Sequence, residues 1–298
     1  MTQIIGAITK DYVLLASDRR LTIGEGPRTG ESVDEDTCKL VCLCGASGIG
    51  YTGLVRIEGA PTHEWIANKL AEAGCCDPAN AERIIAERAT AAFSRIRRWP
   101  QSFLMAGWAY FEKFTDLRPH LCLITNMMDS SQRRAREPLE SFFSFRKALR
   151  HDESSCCEVI GVPLRMNRIR QLRRNVDRLV ERQTDPKATL RLLVDEIIHT
   201  SVLEKHPAVG SKILGFCIPR QSAQAYFETG RSGMLAMQPN KVTAAFTYFE
   251  EGYSELQQYG PTFTCGEMAV TDVKTTNDPS HDSQSAGFRL LSLPKRKS

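Results

Sequence analysis

Two short apolar runs separated by a two-residue break constrain this chain more than any other feature. Residues 3–9 read Gln-Ile-Ile-Gly-Ala-Ile-Thr, residues 12–17 read Tyr-Val-Leu-Leu-Ala-Ser, and Lys10-Asp11 lies between them. Such runs across a tight turn predict a β-hairpin. Folding back brings Ser17, Asp18 and Arg20 beside the start of the first strand. That strand begins at Thr2, which directly follows Met1. The threonine side chain is small enough for Met1 to be trimmed, which would leave an α-amine beside the residue's own hydroxyl. An α-amine has a pKa of about 8, so much of it accepts a proton at neutral pH. Nucleophile and base then share one residue. In this reading Asp18 orients the amine and Arg20 holds the acid.

Composition narrows the alternatives. A chain of 298 residues suits one large domain or two small ones. With 42% hydrophobic and 25% charged residues it reads as an ordinary globular protein. The net charge of +4 is too slight to demand an anionic partner. No apolar run of about eighteen residues is present, so no membrane span is expected. The start of the sequence lacks an apolar signal core, so a cytoplasmic location is expected. The ten cysteines are scattered, Cys75-Cys76 and Cys156-Cys157 are adjacent pairs, and no Cys-x-x-Cys occurs. Reduced thiols are expected, with neither a zinc site nor any other metal or cofactor.

Along the chain, residues 21–37 carry glycines, a proline and acidic residues, and read as an irregular hairpin or loop. Residues 39–44 read as a short buried strand running into Cys44-Gly-Ala-Ser-Gly48. A strand that stops at glycines and opens a helix leaves backbone N–H groups able to hold an oxyanion, which makes Ser47 and Gly48 candidates. A plain turn of small residues is the competing reading. Residues 49–73 show helical spacing interrupted at Pro61, and Asp77-Pro78 starts a second helix. Strands follow near 102–110 and 120–126. Residues 127–155 read as a loop or insertion with a short strand at Phe142-Phe143-Ser144-Phe145. Residues 156–162 form a strand, and 165–182 a basic amphipathic helix with Ile169, Leu172, Val176, Leu179 and Val180 facing in. Its seven arginines interleave with no aromatics, so a solvated face or an acidic neighbouring subunit is preferred over nucleic acid. Asp185-Pro186 opens a helix to about 204, and strands at 212–218 and 224–228 close the domain. Residues 241–259 read as a helix, 262–274 as a strand-like extension, and 275–298 as a disordered tail. Strands and helix pairs in this order suit an α+β fold of two stacked, mainly antiparallel sheets, each with helices on its outer face.

The start Thr2-Gln-Ile-Ile-Gly-Ala-Ile, with Lys10-Asp11 and Leu15-Ala-Ser-Asp18-Arg-Arg20, resembles the start of proteasome β-type subunits. The bacterial HslV-type peptidase shares that superfamily of N-terminal-nucleophile hydrolases. Cys44-Gly-Ala-Ser-Gly48 resembles the family's oxyanion turn, and Phe103-Leu-Met-Ala-Gly-Trp108 with Arg118-Pro-His-Leu-Cys-Leu-Ile124 its central strand pair. Val159-Ile-Gly161 and Gly210-Ser-Lys-Ile213 follow in the family's order. The motifs are short, but their order over about residues 2–230 is specific. The resemblance implies a four-layer αββα sandwich with a C-terminal extension (231–275). It also implies a threonine peptidase acting on peptide or protein from within a homo-oligomeric ring. No metal or organic cofactor is implied, and the sequence does not identify an ATP-dependent unfoldase partner.

Some positions depart from the family pattern. Without a gap, the slot of its proton-handling lysine falls at Val33 or Asp34. Lys39 is the nearest lysine and reaches that slot only by a shift of several residues. The family's serine after Ile-Gly is Val162 here, and its Asp-x-x-Ser-Gly stretch is His206-Pro-Ala-Val209-Gly210. His206 could replace the missing acid or simply sit at a helix end. Thr2, Asp18, Arg20, Lys39, Ser47 and Gly48 are therefore the candidate catalytic residues. A non-catalytic subunit that keeps the fold is the alternative.

Overall fold

The computed structural model describes residues 2–23, 31–35, 37–43, 46–73, 78–95, 99–110, 116–150, 152–221 and 223–224. Beyond these it describes the backbone of five later strands. Among the described residues the architecture is α+β, with four α-helices and mainly antiparallel sheets.

The hairpin forms where its sequence demands it. Strand β1 (Gln3–Thr9) pairs antiparallel with β2 (Tyr12–Asp18), and every residue of both is buried. Thr9 Oγ1 accepts from the Asp11 and Tyr12 N–H groups, at 3.2 and 3.0 Å, and so closes the turn. A strand covered on both faces reads as a continuous apolar run rather than an alternation. Ile4, Ile8, Val13 and Leu15 point one way, and Ile5, Ala7, Leu14 and Ala16 the other.

A small hairpin follows, from β3 (Leu21–Thr22) and β4 (Ser32–Asp34). Then come β5 (Leu40–Leu43) and β6 (Ser47–Thr52), and the short pair β7 (Arg56–Ile57) and β8 (Ala60–Pro61). Helices α1 (Thr62–Glu72) and α2 (Pro78–Phe93) precede β9 (Ser102–Tyr110), β10 (Leu117–Thr125), β11 (Phe143–Ala148) and β12 (Ser155–Gly161). Helices α3 (Met166–Glu181) and α4 (Pro186–Ile198) come next, and α4 ends in a π-helical turn, His199–Leu203. Asp185 caps α4 by accepting from the Lys187 N–H at 2.9 Å, with Pro186 in the first turn. The closing strand of the domain is β13 (Ile213–Pro219). The later strands are β14 (Phe246–Glu250), β15 (Ser254–Gln258), β16 (Thr262–Thr264), β17 (Glu267–Val270) and β18 (Arg289–Leu291).

One sheet runs β12-β1-β2-β13-β14-β15 and the other β11-β10-β9-β6-β5-β16-β17-β18. Neighbours are antiparallel except β16, which lies parallel to β5. Three apolar clusters mark the packing. One joins Ile4, Val13 and Phe216 of the first sheet to Leu40, Leu104 and Trp108 of the second. Another packs Trp65, Ile85 and Phe93 of α1 and α2 on Ile49, Phe103 and Ile124. The third packs Leu172, Val176 and Leu193 of α3 and α4 on Ile5, Leu14 and Ile213.

Three sequence expectations are corrected. Residues 47–52 form a strand, not the mouth of a helix, and α1 begins only at Thr62. The glycines there have a different purpose: an ideal Cβ on Gly48 would overlap the Phe216 ring, and one on Gly50 would lie 2.9 Å from Leu40. Small residues let the sheets approach, while Ile49 and Tyr51 alternate onto the helix side. Strands β14 and β15 pair antiparallel where a helix over 241–259 is expected, as the β-branched and aromatic content of Phe246-Thr-Tyr-Phe249 favours. The strand at the phenylalanines runs on to Ala148. Of the strand expected at 224–228, residues 225–228 lie outside the described residues, as does the tail beyond 275 apart from β18.

The Gly48–Phe216 contact is testable. Gly48→Ala should cost about 1–3 kcal/mol by overpacking. Combined with Phe216→Leu it should cost less than the sum of the two single changes. Urea unfolding of the four proteins measures this, and strict additivity would contradict the contact.

Candidate active site

The hairpin register sets the site. Ile4 faces Ser17, so Thr2 and Gln3 stand beside the end of β2. Asp18 there is fully buried. Its Oδ1 accepts from Thr2 Oγ1 and from the Gln3 N–H, both at 2.7 Å. Its Oδ2 accepts from the Arg20 N–H at 3.1 Å, the Gly210 N–H at 3.2 Å and Lys39 Nζ at 3.2 Å. A carboxylate removed from water needs such compensation.

Lys39 immediately precedes β5, and its side chain is 3% exposed. Its Nζ contacts Thr2 Oγ1 and donates to the Arg20 carbonyl as well as to Asp18. Burial lowers the lysine pKa below its ordinary value, and the charge of Asp18 opposes that shift. A hydroxyl between a carboxylate and a cation of weakened basicity is placed to lose its proton.

The structure thus brings Thr2, Asp18 and Lys39 together. Lys39, and neither Val33 nor Asp34, stands beside Thr2 and Asp18; Val33 is exposed on the hairpin β3–β4.

Arg20 needs a correction. Its backbone serves Asp18, but its guanidinium turns away, with Nε donating to Glu35 at 2.8 Å and Nη1 to the Pro207 carbonyl at 3.3 Å. Ser32 Oγ also donates to Glu35. Arg20 therefore ties β4 and the loop before β13 to the rim of the site.

Ser47 and Gly48 need a larger correction. Both lie inside the second sheet, where Ser47 pairs with Leu43 and Gly107 and Gly48 with Cys42 and Ala106. Both are fully enclosed, away from the cleft. Cys44 and Gly45 lie outside the described residues.

Sequence reasoning missed the far end of the same strand. The cleft over Thr2 is lined by Arg20, Leu21, Thr22, Lys39, Tyr51, Thr52, Gly53 and Val55. Gly53 has φ +117°, and an ideal Cβ on it would overlap Gln101. Gly161 at φ +85° has no room for a Cβ either, because the Thr2 carbonyl fills that space. A Cβ on Gly210 would lie 2.7 Å from that of Arg20. One sequence signal pointed here: Lys39 is the only lysine between Lys10 and Lys69, so a lysine beside Asp18 had a single local source.

Val162 donates its N–H to the Thr2 carbonyl at 2.8 Å, and its apolar side chain is buried. Val209 packs into the helix–sheet cluster. His206 accepts from the Ala208 N–H at 3.3 Å and is occupied in its own loop.

Among the described residues no group of His, Cys, Asp and Glu could hold a metal ion. No helix among them is long and apolar enough to cross a membrane. The chain matches no protein-family model, and no curated protein matches it significantly.

The buried lysine predicts a pH signature. Below its folded pKa Lys39 is charged in both states and bears its full burial cost. As pH rises through that pKa, the folded protein loses the proton first, so the unfolded chain binds more protons and stability rises. The rise ends at the usual lysine value. The stability of the wild type relative to Lys39→Met should therefore increase as pH rises toward the ordinary lysine value, measured by urea unfolding. A pH-independent difference would contradict it.

Proposed function

We propose that this chain is a proteasome-like threonine N-terminal-nucleophile amidohydrolase, active once whatever precedes Thr2 has been removed. The observation that carries the reading is the buried triad in which Thr2 Oγ1 is bound by Asp18 and contacted by Lys39. The two facing sheets with helices on their outer faces support the four-layer αββα arrangement that the sequence resemblance implies.

In this mechanism Thr2 Oγ1 attacks an amide carbonyl carbon. Its proton passes to neutral Lys39 Nζ, a state that the lowered pKa makes more accessible. Asp18 holds both groups in line. The backbone N–H of Gly53, at the cleft, is assigned the oxyanion role in place of Ser47 and Gly48, since the neighbouring Leu54 N–H donates to Gln101 Oε1 at 2.6 Å. The C–N bond breaks as the α-amine of Thr2 passes the proton taken up by Lys39 to the leaving nitrogen, and an ester on Thr2 remains. Water assisted by the same amine hydrolyses that ester. The substrate is a peptide or protein, and the working form is a ring of copies of this chain.

A second reading, a subunit that keeps the fold without cleaving, is favoured by one feature. Val162 and Val209 bring no polar side chain to the site.

The test combines intact mass with a β-lactone probe. The hydrolase reading expects a chain beginning at Thr2 and labelling on Thr2. Thr2→Ala should lower the labelling rate by at least about a hundredfold. Retained Met1, or equal labelling of both proteins, would favour the non-catalytic subunit.

A further inference from the structure

The facing of β1 and β6 carries one step beyond this reading and rests on it. An ideal Cβ on Gly50 would lie 3.0 Å from Ile4 Cγ2, so Gly50 of β6 opposes Ile4 of β1 across the two sheets. Side chains alternate along a strand. Thr52, two residues beyond Gly50, therefore faces the same way, at the height where β1 ends in Thr2. Two observations agree. Thr52 lines the cleft together with Thr2 and Lys39. Its Oγ1 would lie 3.3 Å from a Cβ on Gly161, the position already pressed against the Thr2 carbonyl.

A freed α-amine at Thr2 brings two or three N–H donors to a residue that is 3% exposed while Met1 is attached. Buried donors need acceptors. Asp18 already takes five bonds, the Arg20 guanidinium has no acceptor atom, and the Tyr51 hydroxyl is turned to the Cys38 carbonyl, to which it donates at 3.0 Å. Val162, next to Gly161, offers no side-chain acceptor. A threonine hydroxyl has two acceptor lone pairs and one donor, and it suits an amine in either protonation state.

We propose that Thr52 is a positioning residue: its hydroxyl holds the α-amine of Thr2 in line for proton relay. It acts through the amine and not on the substrate. Its loss should therefore slow the chemical step without weakening binding.

The test uses full-length processed protein and a β-lactone probe, with the maximal labelling rate and the half-saturating probe concentration measured separately. Thr52→Val keeps the shape and β-branching and removes the hydroxyl. It should lower the maximal rate about ten- to a hundredfold at unchanged half-saturation, with an altered pH profile and an unchanged unfolding midpoint. Thr52→Ser, which restores the hydroxyl, should recover most of the rate. A Thr52→Val protein that labels through Thr2 at the wild-type rate and pH profile would overturn the assignment while leaving the hydrolase reading intact. A change confined to half-saturation would also overturn it and make Thr52 a substrate contact. Wild-type protein that begins at Thr2 and is not labelled would overturn both.

Discussion

A carboxylate with no access to water must be neutralised by its neighbours, and Asp18 recruits donors from four separate stretches of chain. Thr2 and Gln3 come from the start of β1, Arg20 from the end of β2, Lys39 from the approach to β5 and Gly210 from the loop before β13. Coulomb attraction to a nearby cation is strong where water is excluded, but each charge bears a desolvation cost of several kcal/mol on the order of magnitude. The two opposing terms fix how tightly these segments must close. They also explain why Lys39 is less basic than usual despite its anionic partner.

Close approach of the sheets is the second requirement. Gly6, Gly48 and Gly50 lie where the opposite sheet presses nearest, against Leu104, Phe216 and Ile4. Interiors pack at the density of organic crystals, so a single methyl group at such a point must displace a neighbour. The cleft over Thr2 sits just beyond this zone, where β1 begins and β6 ends. Packing in the apolar middle thus sets the spacing of the polar groups at the rim.

The first hairpin, Asp18 and the cap of α4 were legible in the sequence because each depends on local pattern: apolar runs, a two-residue turn, Asp-Pro. Lys39 was visible but undervalued, because spacing along the chain cannot reveal that the residues after the hairpin β3–β4 return beside Asp18. Ser47 and Gly48 misled for a related reason. Glycines that end a strand and glycines that admit a neighbouring sheet look identical in one dimension, and only the position of Phe216 separates them. Gly53, Gly161 and Gly210 became meaningful only when the fold set them beside Thr2 and Arg20. The guanidinium of Arg20 follows Glu35, a partner that nothing in the hairpin's own sequence specified.

The bond from the Gly210 N–H to Asp18 spans 192 residues of sequence. A ribosome releases the leading hairpin long before it releases this loop. The acid that fastens Thr2 therefore stays incompletely held until the loop carrying Gly210 has emerged as well. On the hydrolase reading, the nucleophile stays idle while the intervening residues are being made, a safeguard that follows from topology alone.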